Sequence, residues 1–180
     1  MQTFELKTAP APVKLLASLI VVGIGISYIF GLLMVVLWVG LTPGKVVQTY
    51  SQPKPAQVTQ QESRVTETPI DLDTEIMTPH TIDRELLIQD THVHLPVYTL
   101  IAAVLSVIAI GLDMRSGNKM WLICALFVGG WLDFLGMWGV KYIHAWFAFV
   151  TLAGGWMMFA SWLVVTALAT KQMWFDRNGG

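Results

Sequence analysis

Two histidines flank a single valine in the segment QDTHVHLPVY, Gln89 to Tyr98, which lies directly ahead of a long apolar stretch. Imidazole nitrogens bind haem iron, copper and zinc, so histidines at the edge of an apolar stretch are candidate cofactor ligands. A further histidine, His144, lies at the start of another long apolar stretch. Whether these side chains meet depends on how the apolar stretches are arranged.

The composition indicates a membrane protein. Of the 180 residues, 54% are hydrophobic and 13% are charged, which leaves too little polar surface to coat a soluble globule. The net charge of −1 argues against nucleic-acid binding, which needs a basic face. The single cysteine, Cys124, lies in an apolar stretch and is interpreted as a small buried hydrophobic residue.

The predicted fold class is an all-α membrane protein with four transmembrane helices. Its apolar stretches at residues 15–41, 95–112, 120–140 and 143–170 are long enough to cross about 30 Å of hydrocarbon. The first stretch is about twice as long as the apolar region of a cleavable signal peptide, so it is interpreted as a retained helix. The other three form a predicted bundle over residues 91–170. Close helix packing is expected at Gly23, Gly25, Gly31, Gly154 and Gly155.

The lysines and arginines predict the orientation, because short cytoplasmic flanks carry an excess of them. Basic side chains lie before the first helix, between the second and third, and after the fourth: Lys7, Lys14, Arg115, Lys119, Lys171 and Arg177. The two termini, residues 1–14 and 171–180, are therefore expected on the cytoplasmic side of a bacterial inner membrane.

Residues 42–90 differ in character from the apolar stretches. They are rich in proline, threonine, glutamine and acidic residues, so they are expected to form a long, extended periplasmic loop rather than an independent domain. Two alternatives stay open for this loop: it is solvated, or it lies along another subunit. Its segment TIDRELLIQD is compatible with a short interfacial helix capped by Thr81.

The predicted topology places His92, His94 and His144 at the same outer level of the membrane. If the second helix begins at Pro96, where proline is well tolerated, the HVH segment is extended and its two rings point to one side. If that helix begins at Thr91 instead, the two rings diverge by about 200° and only one faces the bundle.

Three interpretations of these histidines stay open. In the first, His94 and His144 are the axial ligands of a b-type haem held between the second and fourth helices. In the second, His92, His94 and His144 bind copper or zinc near the outer face. In the third, the rings are interfacial side chains and the protein has no cofactor.

Asp133 lies inside the third predicted helix, roughly 12 Å from its outer end. A carboxylate at that depth costs a few kcal/mol unless it is paired or neutral, so it is expected to face the bundle interior. Its candidate hydrogen-bond partners are Tyr142, the ring of His144 and a donor on another subunit. With Tyr142 it would orient a ligating imidazole or relay protons; the alternative is a purely structural carboxyl group.

The stretch THVHLPVYTLIAAVLSVIAIGL resembles the HVHL openings of helices in bacterial membrane proteins similar to the haem–copper oxidase catalytic subunit. The segment GWLDFLGMWGVKYIHAWFAFVTLAGGWMM is similar to small bacterial membrane proteins encoded near respiratory cytochromes. The resemblance covers about half of the chain, which is too short for a twelve-helix oxidase core. It implies a ligand role for His94 and, after it, for His92, but none for His144.

The expected function is that of a small subunit of a respiratory or oxidoreductase complex. It would bind a b-type haem or a metal ion near the periplasmic face and transfer electrons to or from a quinone or a periplasmic cytochrome. The alternative is a cofactor-free accessory subunit that stabilises a larger membrane complex through its first helix and long loop. Other membrane subunits and the lipid bilayer are expected partners in both cases. The sequence contains no nucleophile elbow, phosphate loop, CxxCH or HExxH motif, so a self-contained enzyme is not expected.

Overall fold

The computed structural model describes residues 5–51 and 82–176, and within these ranges it contains helices and no strand. The helices are α1, Ala11–Met34; α2, Pro43–Tyr50; α3, Arg84–Ile110; α4, Ser116–Tyr142; and α5, Phe147–Thr170. A five-residue π-helical turn continues α1 (Val35–Val39) and another continues α5 (Lys171–Phe175). With these turns included, four helices are long and apolar enough to span a membrane, which confirms the predicted all-α class and its four spans.

Each end of the helix bundle is held by its own contacts. At the end where the described residues start at position 5 and stop at position 176, called the terminal end, the Leu6 N–H donates to the Gly111 carbonyl at 2.8 Å. There the side chain of Gln172 bonds to both the N–H and the carbonyl of Asp113, at 2.7 and 3.1 Å. The opposite end, called the loop end, contains α2, the start of α3 and the turn from α4 to α5.

The closest packing in the bundle is between α4 and α5, and α3 packs against α4. A Cβ atom on Gly154 of α5 would lie 2.5 Å from the backbone nitrogen of Asp133, and one on Gly129 of α4 would lie 2.9 Å from that of Met158. The two backbones are therefore in direct contact, as small residues allow in membrane helices. Gly154 is a packing position as predicted, whereas Gly155 has no neighbouring atom within 4 Å.

Buried side chains form two clusters, one in each half of the bundle. The cluster of the terminal half combines α1, α3, α4 and α5, with Leu105, Leu126 and Val165 at its centre. The cluster of the loop half combines α2, α3, α4 and α5, and it includes Val46 and Leu87. The short helix α2 thus takes over, in the loop half, the packing position that α1 occupies in the terminal half.

The start of α3 differs from the sequence-based prediction. The helix begins at Arg84 rather than near residue 95, because the Asp83 side chain accepts a 2.7 Å hydrogen bond from the Leu86 N–H and caps the first turn. The predicted separate interfacial helix capped by Thr81 is therefore wrong, since residues 84–90 are the first turns of α3. Pro96 lies inside α3, where a long membrane helix tolerates it.

The predicted loop at 42–90 is also shorter than expected. Residues Pro43–Tyr50 form α2, which starts with proline in its first turn, where the missing N–H costs nothing. The two ends of the loop are joined, because the Ile82 N–H donates to the Thr49 carbonyl at 2.9 Å. The remainder of the predicted loop, 52–81, lies outside the described residues. It includes His80, the one histidine of the chain not discussed above.

Candidate functional site

The histidine pair of the HVH segment is helical. His92 and His94 both lie within α3, and both are exposed. Residues two positions apart on an α-helix are separated by about 200°, so the two rings point to different sides. The extended alternative, in which α3 begins at Pro96 and both rings bind one ion, is contradicted because α3 starts well before the pair.

His94 is held by a carboxylate one helical turn before it. Its Nε2 lies 3.1 Å from Oδ1 of Asp90, and 49% of its side chain is exposed. Its ring lies 6.0 Å, centre to centre, from the ring of Tyr98. A carboxylate paired with an imidazole is the arrangement that orients metal-ligating histidines, and it leaves the Nδ1 atom of His94 available.

His144 lies in the turn between α4 and α5, where it is exposed. Its Nδ1 accepts a 3.0 Å hydrogen bond from the Trp146 N–H, which fixes the ring at the surface of the turn. Within residues 5–51 and 82–176, no three histidine, cysteine, aspartate or glutamate side chains are grouped so as to hold a metal ion. The predicted copper or zinc site of His92, His94 and His144 is therefore not assembled there.

The haem ligated by both His94 and His144 stays a prediction. A macrocycle between α3 and α5 would need space in the loop half of the bundle, where buried side chains such as Leu87, Phe134 and Met137 pack together. Both imidazoles lie on the exposed surface instead.

Asp133 lies on α4, where Gly154 of α5 contacts its backbone. Its carboxyl group is within electrostatic range of Tyr50 on α2 and of Tyr98 and Asp90 on α3. These side chains lie in the loop half of the bundle, in the region where α2, α3 and α4 meet. We call Asp133, Tyr50, Tyr98 and Asp90 the acid–tyrosine cluster.

Tyr142 does not pair with Asp133 in the described structure. Its ring stacks on Trp138 with 5.6 Å between the ring centres, and the side chain is half exposed. The predicted hydrogen bond from Tyr142 to Asp133 is therefore not formed, and neither is one from the ring of His144, which is fixed in its turn. The phenols near Asp133 belong to Tyr50 and Tyr98 instead.

Sequence reasoning named Asp133 and missed the other three members of this cluster, of which Tyr50 lies in the predicted loop. Tyr50 is the last residue of α2, and its side chain is buried. Burial raises the pKa of its hydroxyl above the ordinary value, and the charge of Asp133 adds to the rise. One signal was available: Val46 and Tyr50 are spaced four residues apart, as on one face of a short helix.

Lys141 closes the cluster at the loop end. Its side chain is buried, and its Nζ donates a 2.6 Å hydrogen bond to the carbonyl of Ile82. No carboxylate of the described residues lies within ion-pair distance of it. The Trp138 indole adds a second link from α4 to α3, since its N–H donates to the Thr91 hydroxyl at 2.9 Å.

A family model described as Aq_1264_TM, a transmembrane helical domain, matches residues 40–180. No curated protein and no solved structure matches the chain. The matched region starts directly after α1 and its π turn, and it contains α2 to α5 together with the whole acid–tyrosine cluster. This chain therefore belongs to the Aq_1264_TM family of transmembrane helical domains.

Proposed function

We propose that this chain is an accessory subunit that stabilises a larger complex in a bacterial inner membrane, and that α1 joins it to its neighbours. The observation that carries this proposal is the uneven packing of the spans. Of the most apolar window of α1, 11% is buried, against 28% for α3 and 33% for each of α4 and α5. Three spans pack on one another, and α1 lies beside them.

The attachment of α1 supports the same division of the chain. The helix contributes a narrow buried stripe, Ala17, Val21 and Gly25, and it lies outside the region that the family model matches. Its remaining surface is covered with exposed aliphatic and aromatic side chains. Lipid accepts such a surface whatever its shape, whereas a protein neighbour requires a fitting shape. Substitutions that change the shape of the exposed surface of α1 and keep it apolar should therefore disturb a protein neighbour but not lipid.

The distribution of basic residues supports an orientation with both termini in the cytoplasm. The terminal end carries Lys7, Lys14, Arg115, Lys119 and Lys171, and the described part of the loop end carries Lys45, Arg84 and Lys141. Short cytoplasmic flanks carry the excess of lysine and arginine, so the terminal end is assigned to the cytoplasm and the loop end to the periplasm.

The test is the size of the assembly that contains the full chain. Tagged protein at native expression level is extracted in mild detergent and run on a native gel. Alanine at Ile26, Ile29, Phe30 and Leu33 changes the shape of one exposed face of α1 but leaves it apolar. We expect the wild type to migrate well above 20 kDa and this variant to migrate as a free subunit.

The matched control changes an exposed face that the proposal does not use. Alanine at Leu163 and Val164 of α5 alters lipid-facing side chains of the same kind, so the complex should stay intact. A wild-type chain that migrates alone under all mild detergents contradicts the proposal. So does an α1 variant whose assembly is unchanged.

The second candidate function is electron transfer through a haem or a metal ion at the loop end, and the Asp90–His94 pair favours it. His94 would supply one ligand and a neighbouring subunit another, with a quinone or a periplasmic cytochrome as redox partner. The absorption spectrum and metal content of the purified complex test it. We expect a Soret band or stoichiometric copper that His94→Ala removes and His92→Ala retains. A colourless, metal-free complex excludes this candidate.

A further inference from the structure

Three buried polar atoms at the contact between α1 and α5 have no hydrogen-bond partner among the described residues. They are the hydroxyl of Tyr28 on α1, and the indole N–H of Trp162 and the hydroxyl of Thr166 on α5. Trp162 lies near the middle of the span Phe147–Phe175, where the bilayer offers no water to replace a missing partner. Unsatisfied polar groups at this depth would be stabilised by a ligand with hydrogen-bonding atoms.

The aromatic rings at the contact between α1 and α5 pack directly on one another. The rings of Tyr28 and Trp162 lie 5.1 Å apart at 40°, and the ring of Phe159 lies 6.0 Å from the first and 5.6 Å from the second. Thr166 lies one turn after Trp162 on the same face of α5. These four residues are called the α1–α5 crevice.

Thr166 behaves unlike comparable side chains of the same protein. The hydroxyls of Thr91, Thr99, Ser106 and Ser161 each donate to the backbone carbonyl four residues earlier. This is the usual way in which a hydroxyl within a membrane helix is satisfied. The Thr166 hydroxyl does not form this bond and stays available to a group in the crevice.

The crevice is closed in this structure, and a ligand would enter by displacing α1, which is held along one narrow stripe. A Cβ atom on Gly25 would lie 2.9 Å from the Trp162 ring, whereas Gly23 and Gly31 have no neighbouring atom within 4 Å. The three polar atoms are each enclosed by protein, so a helix docked on the outside does not reach them. A small molecule that inserts between α1 and α5 does.

We propose that the α1–α5 crevice binds the head group of a lipid-soluble quinone. The indole N–H only donates hydrogen bonds, so the ligand must bring an acceptor, and a quinone brings two carbonyl oxygens on a flat ring. Tyr28, Trp162 and Phe159 offer the aromatic faces on which such a ring stacks. The ester and phosphate groups of phospholipids lie at the membrane surface, far from the level of Trp162. This proposal goes beyond the accessory role and does not depend on it.

The test uses the full chain in phosphatidylcholine nanodiscs, titrated with decylubiquinone while tryptophan fluorescence is recorded. We expect saturable quenching in the wild type. Tyr28→Phe and Thr166→Val each remove one hydroxyl and keep the shape of the side chain, so each should weaken binding roughly 3- to 10-fold. Thr170→Val, an exposed change one turn further along α5, should bind like the wild type.

Thr166→Ser provides a check by rescue, because it keeps the hydroxyl and should retain binding near the wild-type level. Quenching that rises without saturation and equally in all chains means that the quinone only dissolves in the bilayer, which overturns the proposal. Wild-type affinity in both Tyr28→Phe and Thr166→Val overturns it as well, since the orphaned hydroxyls then serve no ligand.

Discussion

Gly154 on α5 lies against the backbone of Asp133 on α4, at a distance where a Cβ atom would stand 2.5 Å from the Asp133 nitrogen. The contact fixes the rotation of α4 about its axis, and with it the direction in which Asp133 points. A glycine without a side chain thus allows α5 to approach α4 at the level of Asp133.

Gly154→Ala should destabilise the bundle although alanine is the better helix former by about 1 kcal/mol. The added methyl group has no space between α4 and α5, and overpacking of this kind costs about 1–3 kcal/mol. The thermal unfolding midpoint in detergent measures the effect. Gly155→Ala is the matched control, since nothing lies within 4 Å of Gly155, and it should be neutral or stabilising. Equal midpoints for the two variants would contradict the observed backbone contact.

Trp138→Phe should lower the free energy of unfolding by about 0.5–1.5 kcal/mol, because the 2.9 Å hydrogen bond from its indole to the Thr91 hydroxyl is lost. Thr91→Val should have a similar effect, and the double variant should cost less than the sum of the two. Trp121→Phe, an exposed tryptophan at the terminal end, is the control and should leave stability unchanged. Strict additivity of Trp138→Phe and Thr91→Val would show that the bond contributes nothing.

Lys141→Met should loosen the loop end while the bundle stays folded. The lysine holds Ile82, which in turn holds Thr49, so removing the ammonium releases the links among α2, α3 and α4. Hydrogen–deuterium exchange should become faster in 43–50 and 82–90. Lys119→Met serves as the control, because Lys119 bonds in the same way to the Ile110 carbonyl but at the terminal end. Unchanged exchange in α2 would exclude this role of Lys141.

Asp133→Asn should allow a buried tyrosine to ionise at lower pH than in the wild type. Burial is the main reason why the pKa of Tyr50 is raised, and the charge of Asp133 raises it further, so removing that charge lowers the pKa towards its ordinary value. Tyrosinate absorbance during an alkaline titration measures the shift. In a Tyr50→Phe background the same substitution should produce a smaller change; an identical change there would assign the effect to other tyrosines.

The number of spans could be predicted because each one is apolar over a length that only a membrane helix requires. The start of α3 could not, since Arg84, Glu85 and Asp90 do not belong to a bilayer-spanning stretch. They continue the same helix towards the loop end, where Asp83 caps its first turn and Asp90 pairs with His94. Membrane hydropathy detects the part of a helix within lipid and not the part that extends from it.

The candidate site was predicted less well than the fold, for a geometrical reason. Sequence position predicts the depth of a residue in the membrane, so His94 and His144 were expected at one end of the bundle. Rotation about each helix axis decides which side chains meet, and it depends on contacts such as that of Gly154 with Asp133. The grouping of Tyr28 with Trp162 likewise depends on where α1 lies, which the sequence pattern does not specify.

The two ends of the bundle are closed by contacts of the same kind. At the terminal end, the Lys14 ammonium donates to the Met173 carbonyl at 3.2 Å, while Leu6 with Gly111 and Gln172 with Asp113 are joined through amide groups. At the loop end, the Lys141 ammonium donates to the Ile82 carbonyl. Dissolved ions screen exposed pairs of opposite charges, whereas each of these contacts ends on an uncharged carbonyl or amide group. Both ends should therefore stay closed as the salt concentration rises.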